Sequence, residues 1–550
     1  MDDQPRTPSP RPRWWLIPAI CALLAVVHTW PLATAPGILS RNDNGDAQLN
    51  EWILAWVGHQ LPRAPARLFD ANIFYPAADS LAFSEPLIVP AIMGMPVQWL
   101  GGSPVLVFNI VLIVGFALTA WAGTMLVTSW TGDRLAGLLA GSTFAFNTHT
   151  LTRLAHVQGI HAWGLPLALL AADRVITRGR LRDAAWLALW MTAMAYTSGY
   201  LLVFGAIMVG VVVLVRAGEW VPNARRVGSA FALAAALAAV ATLPVYIPYH
   251  RVARDQGMVR SIESVAAYSA TPRGYLAAAG RVHFYTWSGS FFRDPVDAFF
   301  PGCTVIGLTL YALLRIARRQ DAGALDRRRA IMLVAVGVTG VVLSLGLRTP
   351  VYGWLFHVFP PMQGLRAAAR FGNLFLLAMA ALAGLGFAML RRRLAPRRAA
   401  IVGALLIVLA NVEALRAPFE YTRFGGIPPI YSLLAKEPGR VVLAETPFYP
   451  AQAVFENAGY VLASTAHWRP LMNGYSGYVP NSYRTYAASF WYFPEDFAIQ
   501  EMRKAGVTHV MVHPQRFYTD AATVMEKTAA SPYLERMAIG RNGDVLYRLR

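Results

Sequence analysis

Three carboxylates, Asp43, Asp46 and Glu51, follow closely on the first apolar stretch of the chain. An acid held at the edge of an apolar phase suits general-base work, taking the proton from a hydroxyl as its oxygen attacks an activated carbon. Asp46 is the first candidate for that role and Asp43 the second. A structural reading stands beside it, because Asp is a favoured helix N-cap and either residue could cap a helix that starts here. Apolar residues at 49, 52, 53, 56 and 57 have helical spacing and predict that helix over 47–61. Its apolar face carries Trp52 and Trp56, a residue type that prefers the headgroup boundary, so the helix is expected to lie flat on a membrane surface.

Two basic groupings lie far from these acids in the chain. His156, Gln158 and His161 follow Arg153 at the end of an apolar stretch. Polar groups at a membrane mouth are costly unless they face a cavity, so they read as ligands for a phosphate or a sugar hydroxyl, or else as an interfacial cap. The two histidines are five apart, off the four-residue spacing that places two ligands on one helical face, and no metal site is predicted. Arg366 and Arg370 are four apart and would project together from a helix. Their planar donor forks suit a phosphate, with snorkelling to lipid headgroups as the alternative. Arg251, Arg254, Arg260, Arg273, Arg281 and His283 lie among aromatics in segment 249–298, which could close over a substrate or bind headgroups. Tyrosines and tryptophans between 449 and 492 could line a glycan groove, but packing of one domain on another is the favoured reading.

The remainder of the chain must position these groups, and its composition says how. Of 550 residues 56% are hydrophobic and 14% charged, with mean hydropathy +0.40, too apolar for an ordinary soluble domain. The net charge of +19 sits in arginine clusters between apolar stretches, the pattern of cytoplasmic loops and not of a nucleic-acid surface. The two cysteines, Cys21 and Cys303, indicate neither a disulfide framework nor a thiolate metal site.

A helical span needs about 20 largely apolar residues. Spans are therefore placed at 14–34, 105–129, 135–150, 161–176, 182–197, 201–216, 228–248, 299–317, 330–346, 371–390 and 399–416. Ala33-Thr34-Ala35 imitates a signal-peptidase site, but Pro36 follows it and an uncleaved first helix is expected. Segment 86–101 is apolar yet broken by Pro86, Pro90 and Pro96, and is assigned as a re-entrant or surface piece. With a cytoplasmic N-terminus every strong arginine cluster falls on the inner side, which leaves loops 35–104 and 249–298 outside. Residues 1–416 thus form a polytopic α-helical membrane domain of about eleven spans. Residues 417–550 read as a small extracytoplasmic α/β domain, with strands predicted at 440–445, 507–513 and 544–549 and helices near 430–436 and 495–505.

This order resembles the GT-C superfamily of integral membrane glycosyltransferases that use polyprenyl-phosphate sugars. The resembling features are a first helix, an acidic outer loop with Asn44-Gly45-Asp46, a tryptophan-bearing helix, short paired spans and a final α/β domain. The superfamily's Asp in the first outer loop is its catalytic base, which by resemblance gives that role to Asp46. An Asp-Glu pair and a Lys-Pro-Pro segment known from one branch are replaced here by Gly45-Asp46 and Phe83-Ser84-Glu85-Pro86. The resemblance implies a multi-pass protein of a bacterial inner membrane that moves a sugar from a lipid-phosphate carrier to a glycan, lipid or protein acceptor. No cofactor is assigned, although a divalent cation stays open, and no nucleic-acid partner is expected. The rival class is non-enzymatic, a binder or transporter of lipid-linked glycans or an assembly scaffold.

Overall fold

The computed structural model describes residues 15–257, 260–319 and 323–550; the basic stretch 1–13 lies outside the described residues. Every apolar stretch assigned as a span folds as a helix. In chain order these and the intervening helices are α1 (Leu16–His28), α2 (Gly45–Gln60), α3 (Ile88–Trp99), α4 (Pro104–Thr131), α5 (Arg134–Ala145), α6 (Gly164–Arg178), α7 (Leu181–Ala195) and α8 (Gly199–Val215). There follow α9 (Ala224–Gln256), α10 (Cys303–Ala317), α11 (Ala324–Ser344), α12 (Gly372–Arg391) and α13 (Pro396–Ala414). Among the described residues, three helical stretches, Pro104–Thr131, Ala217–Gln256 and Ala368–Arg391, are long and apolar enough by themselves to cross a membrane. Segment 86–101, assigned as a re-entrant or surface piece, contributes the short helix α3 with Pro96 inside it.

Local chemistry sets the helix ends. Ser103 caps α4 by accepting from the Leu106 N–H at 3.2 Å, and Pro104 fills the first helical position, where no N–H is needed. Gly132 ends α4 in the left-handed region (φ 73°), and Asp133 at once caps α5 through the N–H groups of Leu135 and Ala136. The tight hairpin lets α4 and α5 touch backbone to backbone: a Cβ at Gly141 would lie 2.0 Å from the Ala120 carbonyl.

Ion pairs show which helix ends share a pole. Asp133 at the start of α5 pairs with Arg391 at the end of α12. Asp173, near the end of α6, pairs with Arg216 just beyond α8 and with Arg329 early in α11, and accepts from the Trp130 indole at the end of α4. Arg226, early in α9, donates to the Arg178 and Gly179 carbonyls. Among the described residues, Arg216, Arg226, Arg328, Arg329 and Arg391 therefore share one pole, and part of their charge is neutralised by Asp133, Asp173 and Glu219.

The opposite pole carries the C-terminal domain. Its four-stranded sheet has the order β1 (Leu443–Thr446), β2 (His509–Val512), β4 (Val545–Leu549), β3 (Leu534–Ile539). β1 and β2 are parallel with Leu443 opposite His509, and the other pairings are antiparallel. The three expected strands are present; β3, an edge strand of mixed exposure, is the addition. The domain is stitched to segment 35–104 by backbone hydrogen bonds between 72–75 and 471–473, and by a two-residue ribbon pairing Leu39–Ser40 with Thr422–Arg423.

The expected surface helix is not at a surface. α2 is packed between α3, α4 and the C-terminal helix α14 (Ala458–Ala463). Trp52 is 1% exposed and donates to Asn72 Oδ1 at 3.2 Å; Trp56 donates to the Leu68 carbonyl at 2.9 Å. Both indoles find polar partners inside the protein, so neither needs a headgroup boundary.

Candidate active site

Asp46 enters the site through the first turn of α2. The N-cap is Asn44, whose side-chain oxygen accepts from the Asp46 N–H at 2.8 Å, so neither aspartate has the capping role. Asp43 is exposed and paired with Arg41 at 3.1 Å. The Asp46 carboxylate is therefore not taken up by a cap. Its Oδ1 accepts from the Tyr475 hydroxyl at 2.6 Å, and its Oδ2 lies 3.2 Å from His156 Nε2.

Burial pushes the Asp46 carboxyl up, but hydrogen bonds from His156 and Tyr475 and the charge of Arg370 outweigh it and hold the group well below the usual carboxylate range. Burial, reinforced by the charge of Arg153, brings His156 down to about 4. The pair is thus a carboxylate accepting from a neutral imidazole N–H. A neighbouring acid does the reverse. Glu51 is fully buried in α2, and burial pushes it up to about 8 against the opposing contact with Asn42, whose amide faces the two oxygens at 2.7 and 3.1 Å.

A carboxyl raised in the folded state contributes stability that is complete below its unfolded value of 4.5 and is lost as pH climbs through 8. Glu51→Gln keeps the shape and the amide contact without that dependence. Thermal unfolding in detergent at pH 5 and pH 8 is expected to show wild type weakening by several kcal/mol while the variant stays level. A variant that weakens equally would remove Glu51 as the cause.

Two arginines without carboxylate partners, Arg370 and Arg153, lie near enough to Asp46 for their charges to act on it. Arg370 lies over the Tyr200 ring, 4.5 Å from its centroid, and Arg366 over Tyr268 at 4.6 Å. The Tyr200 hydroxyl also accepts from the N–H groups of Arg366 and Ala367 at 2.9 Å each. The two arginines do not share a helix as their spacing predicts. Leu365 has an extended backbone and a 3-10 turn runs from Ala368 to Phe371, so the two guanidinium groups are not set by one helical face, and each is held over its own tyrosine.

Arg153 and Arg260 complete the group. Burial together with the charge of Arg370 brings Arg153 down to about 9. Burial and the charge of Arg366 lower Arg260, whose guanidinium donates to the Gly477 carbonyl. Among the described residues, Arg153, Arg260, Arg366 and Arg370 have no carboxylate within ion-pair distance. Glu85 stands on the far side of Arg370's field, accepting from the Gly199 N–H at 2.8 Å at the start of α8; burial raises its carboxyl.

The histidine segment divides. His156 joins Asp46. His161 is buried against α4, one ring nitrogen 3.0 Å from the Val111 carbonyl and the other receiving the Trp163 indole, so it packs helices and meets no pocket. Gln158 is buried with its side-chain oxygen lacking a partner, and no contact joins it to Asp46. Tyr200, Tyr268 and Tyr475 were not expected in a site; Tyr475 belongs to the aromatic series assigned to packing, 429 residues from its partner. Among the described residues, a metal-like grouping occurs only at His283, Cys303 and Glu413. There Glu413 already accepts from Thr304 at 2.6 Å at the start of α10. His283 Nδ1 receives the Trp287 indole at 3.2 Å, which turns the ring's remaining proton toward Glu413.

No protein-family model matches the chain, and no curated protein does. Solved structures do match. The mycobacterial arabinofuranosyltransferase AftD is 16% identical, over 97% of this chain and 39% of that one, with a TM-score of 0.59. This chain therefore spans about two-fifths of AftD's length. The oligosaccharyltransferase AglB of Archaeoglobus fulgidus, solved with an inhibitory peptide and a dolichol-phosphate, is 13% identical over 94% of this chain and 72% of that one, with a TM-score of 0.48. At a TM-score of 0.59 the chain shares the fold of AftD, a GT-C fold.

Proposed function

We propose that this protein transfers a sugar from a lipid-phosphate carrier to an acceptor hydroxyl. The observation that carries the reading is one ionised carboxylate, Asp46, set within the fields of guanidinium groups that lack carboxylate partners. In the reaction the acceptor oxygen bonds to the anomeric carbon while its proton passes to Asp46. The bond from that carbon to the carrier phosphate breaks, and its electron pair stays on the phosphate. The charge growing on the leaving phosphate is what Arg370, Arg366, Arg153 and Arg260 are placed to offset, and preorganised charge of this kind acts chiefly on the transition state. Fixed tyrosine platforms keep the guanidinium forks aimed without neutralising them.

With the arginine-rich pole cytoplasmic, about eleven spans cross a bacterial inner membrane. The pocket and the 417–550 domain then face the extracytoplasmic side. The test is a panel of farnesyl-phosphoryl pentoses and hexoses with alkyl glycosides as acceptors, using the full chain in nanodiscs and measuring farnesyl phosphate released. Arg370→Gln is expected to lower the turnover number by about 10²–10³-fold, and Arg370→Lys by less, since it keeps charge but loses the fork. An unchanged turnover number in Arg370→Gln would remove the phosphate role.

A further inference from the structure

Tyr475 makes a contact that packing alone does not explain. Its hydroxyl donates to Asp46 Oδ1 at 2.6 Å, the length of a strong O–H to carboxylate bond. That is also the bond an acceptor hydroxyl has to make to the same oxygen before giving up its proton. The other oxygen, Oδ2, is taken by His156. Yet the Asp46 side chain is 39% exposed, so the carboxylate is within reach of an entering molecule.

The segment that carries Tyr475 is anchored firmly on either side and weakly in the middle. Before it, Asn473 bridges the Glu445 N–H (2.7 Å), the Glu445 carbonyl (3.0 Å) and Asn457 (3.2 Å), and its own carbonyl accepts from the Phe74 N–H. Gly474 lies flat against the Phe74 ring, with no room for a Cβ. After it, the Tyr478 hydroxyl donates to the Gln256 carbonyl at 2.7 Å. Between those anchors, residues 475–479 form no backbone-to-backbone hydrogen bond among the described residues. The middle is held by side-chain contacts instead: the Tyr475–Asp46 bond, the donation of Arg260 to Gly477, and the packing of the Tyr475 and Tyr478 rings on the core. A short loop so held can swing while its ends stay fixed.

We propose that the Tyr475 hydroxyl occupies the acceptor's place on Asp46, so that an acceptor alcohol engages the carboxylate only as the 475–477 loop of the C-terminal domain withdraws. The proposal rests on the reading of Asp46 as the group that receives the acceptor. It adds that the 417–550 domain gates entry: until an alcohol arrives, Asp46 carries a donor from the protein in place of water. The donor side needs no such movement, because Arg153 and Arg370 approach Asp46 from other elements.

The test places 3-fluorotyrosine at position 475 in the full chain, in nanodiscs, and follows its ¹⁹F resonance as octyl to dodecyl glycosides are added. The resonance of the same label in an Asp46→Ala chain marks the broken bond. Saturation with glycoside is expected to move the wild-type resonance toward that mark. Tyr475→Phe, which removes the competing donor, is expected to bind the glycoside about tenfold more tightly, whereas loss of a mere structural brace would weaken binding. A resonance that no glycoside moves, or binding that Tyr475→Phe leaves unchanged or weakens, overturns the proposal. Should Tyr475→Phe fail to fold, the wild-type titration decides alone. Absence of sugar transfer in wild type would strike the assigned reaction and not the gate, because the titration reads binding without turnover.

Discussion

Asp46→Asn is expected to give a chain that folds and inserts like wild type while sugar transfer falls by about 10²–10⁴-fold, the span usually lost with a general base. Folding should survive for local reasons. The cap of α2 is Asn44 and uses only the backbone N–H of residue 46, so the new side chain leaves it intact. The amide oxygen can still accept from Tyr475. Its NH₂ group would face His156 Nε2, and the imidazole can answer by moving its proton to Nδ1, a buried nitrogen that has no other partner. Farnesyl phosphate should bind at least as well, because one negative charge leaves an arginine-lined pocket.

The comparison is transfer against farnesyl phosphate binding in the same nanodiscs. Transfer retained at the wild-type rate would remove the base and favour a protein that only binds lipid-linked glycans. The pH profile gives a second check. Asp46 is held below the usual carboxylate range, so the carboxylate persists well into acid, and the rate is expected to stay level from neutrality until His156 protonates near pH 4. By linkage a depressed carboxyl contributes stability above its unfolded value and loses it as pH falls through its folded value, so acid lability should follow the same direction.

How far the residues disclosed this arrangement depends on the range of the signal. Helices leave a local mark, since apolar stretches and caps such as Ser103-Pro104 and Gly132-Asp133 are read within a few positions, and every span assigned from them is a helix. Arginine clustering is also local, and Asp173 and Asp133 join Arg216, Arg329 and Arg391 from three of the clusters. The orientation of α2 left no such mark. Trp52 and Trp56 at helical spacing describe a membrane-facing stripe as well as a buried one, and only Asn72 and the Leu68 carbonyl, supplied by the following loop, decide between them.

The site is harder still to read from the chain. Asp46 and His156 were singled out for residue type, and the structure joins them. The donor that completes them, Tyr475, comes from another domain, and Arg260 from a segment, 249–298, with seven other basic residues of equal appearance. Arg366 and Arg370 were chosen for a helical spacing they do not use; each guanidinium is held by a separate tyrosine, Tyr268 and Tyr200, which carry no pattern linking them to an arginine pair. His161 shows the reverse failure. A histidine beside an apolar stretch has the same appearance whether it faces a cavity or, as here, donates into helix packing.

At the opposite pole, Asp173→Ala is expected to cost about 3–5 kcal/mol, the usual penalty for breaking a buried ion pair from one side. Asp173 ties four helices: it pairs with Arg216 and Arg329 beyond α8 and within α11, receives the Trp130 indole from α4 at 2.9 Å, and itself belongs to α6. The Arg216 side chain is 1% exposed, so removal of Asp173 leaves its guanidinium with Glu219 alone and without water. Arg329 keeps only its position over the Trp130 ring, at 5.1 Å.

The measurement is the fraction of protein surviving a heating series in detergent, read by size-exclusion chromatography. Asp173→Asn, which retains oxygen acceptors, should fall between wild type and Asp173→Ala. A paired change, Asp173→Leu with Arg329→Met, removes both charges and should recover most of the loss, because apolar packing of similar volume can replace a buried pair. If Asp173→Ala survives as well as wild type, the four helix ends are held by apolar contact alone. Transfer by the survivors should be normal, since α6 places about 13 Å of helix between Asp173 and the end that faces the pocket.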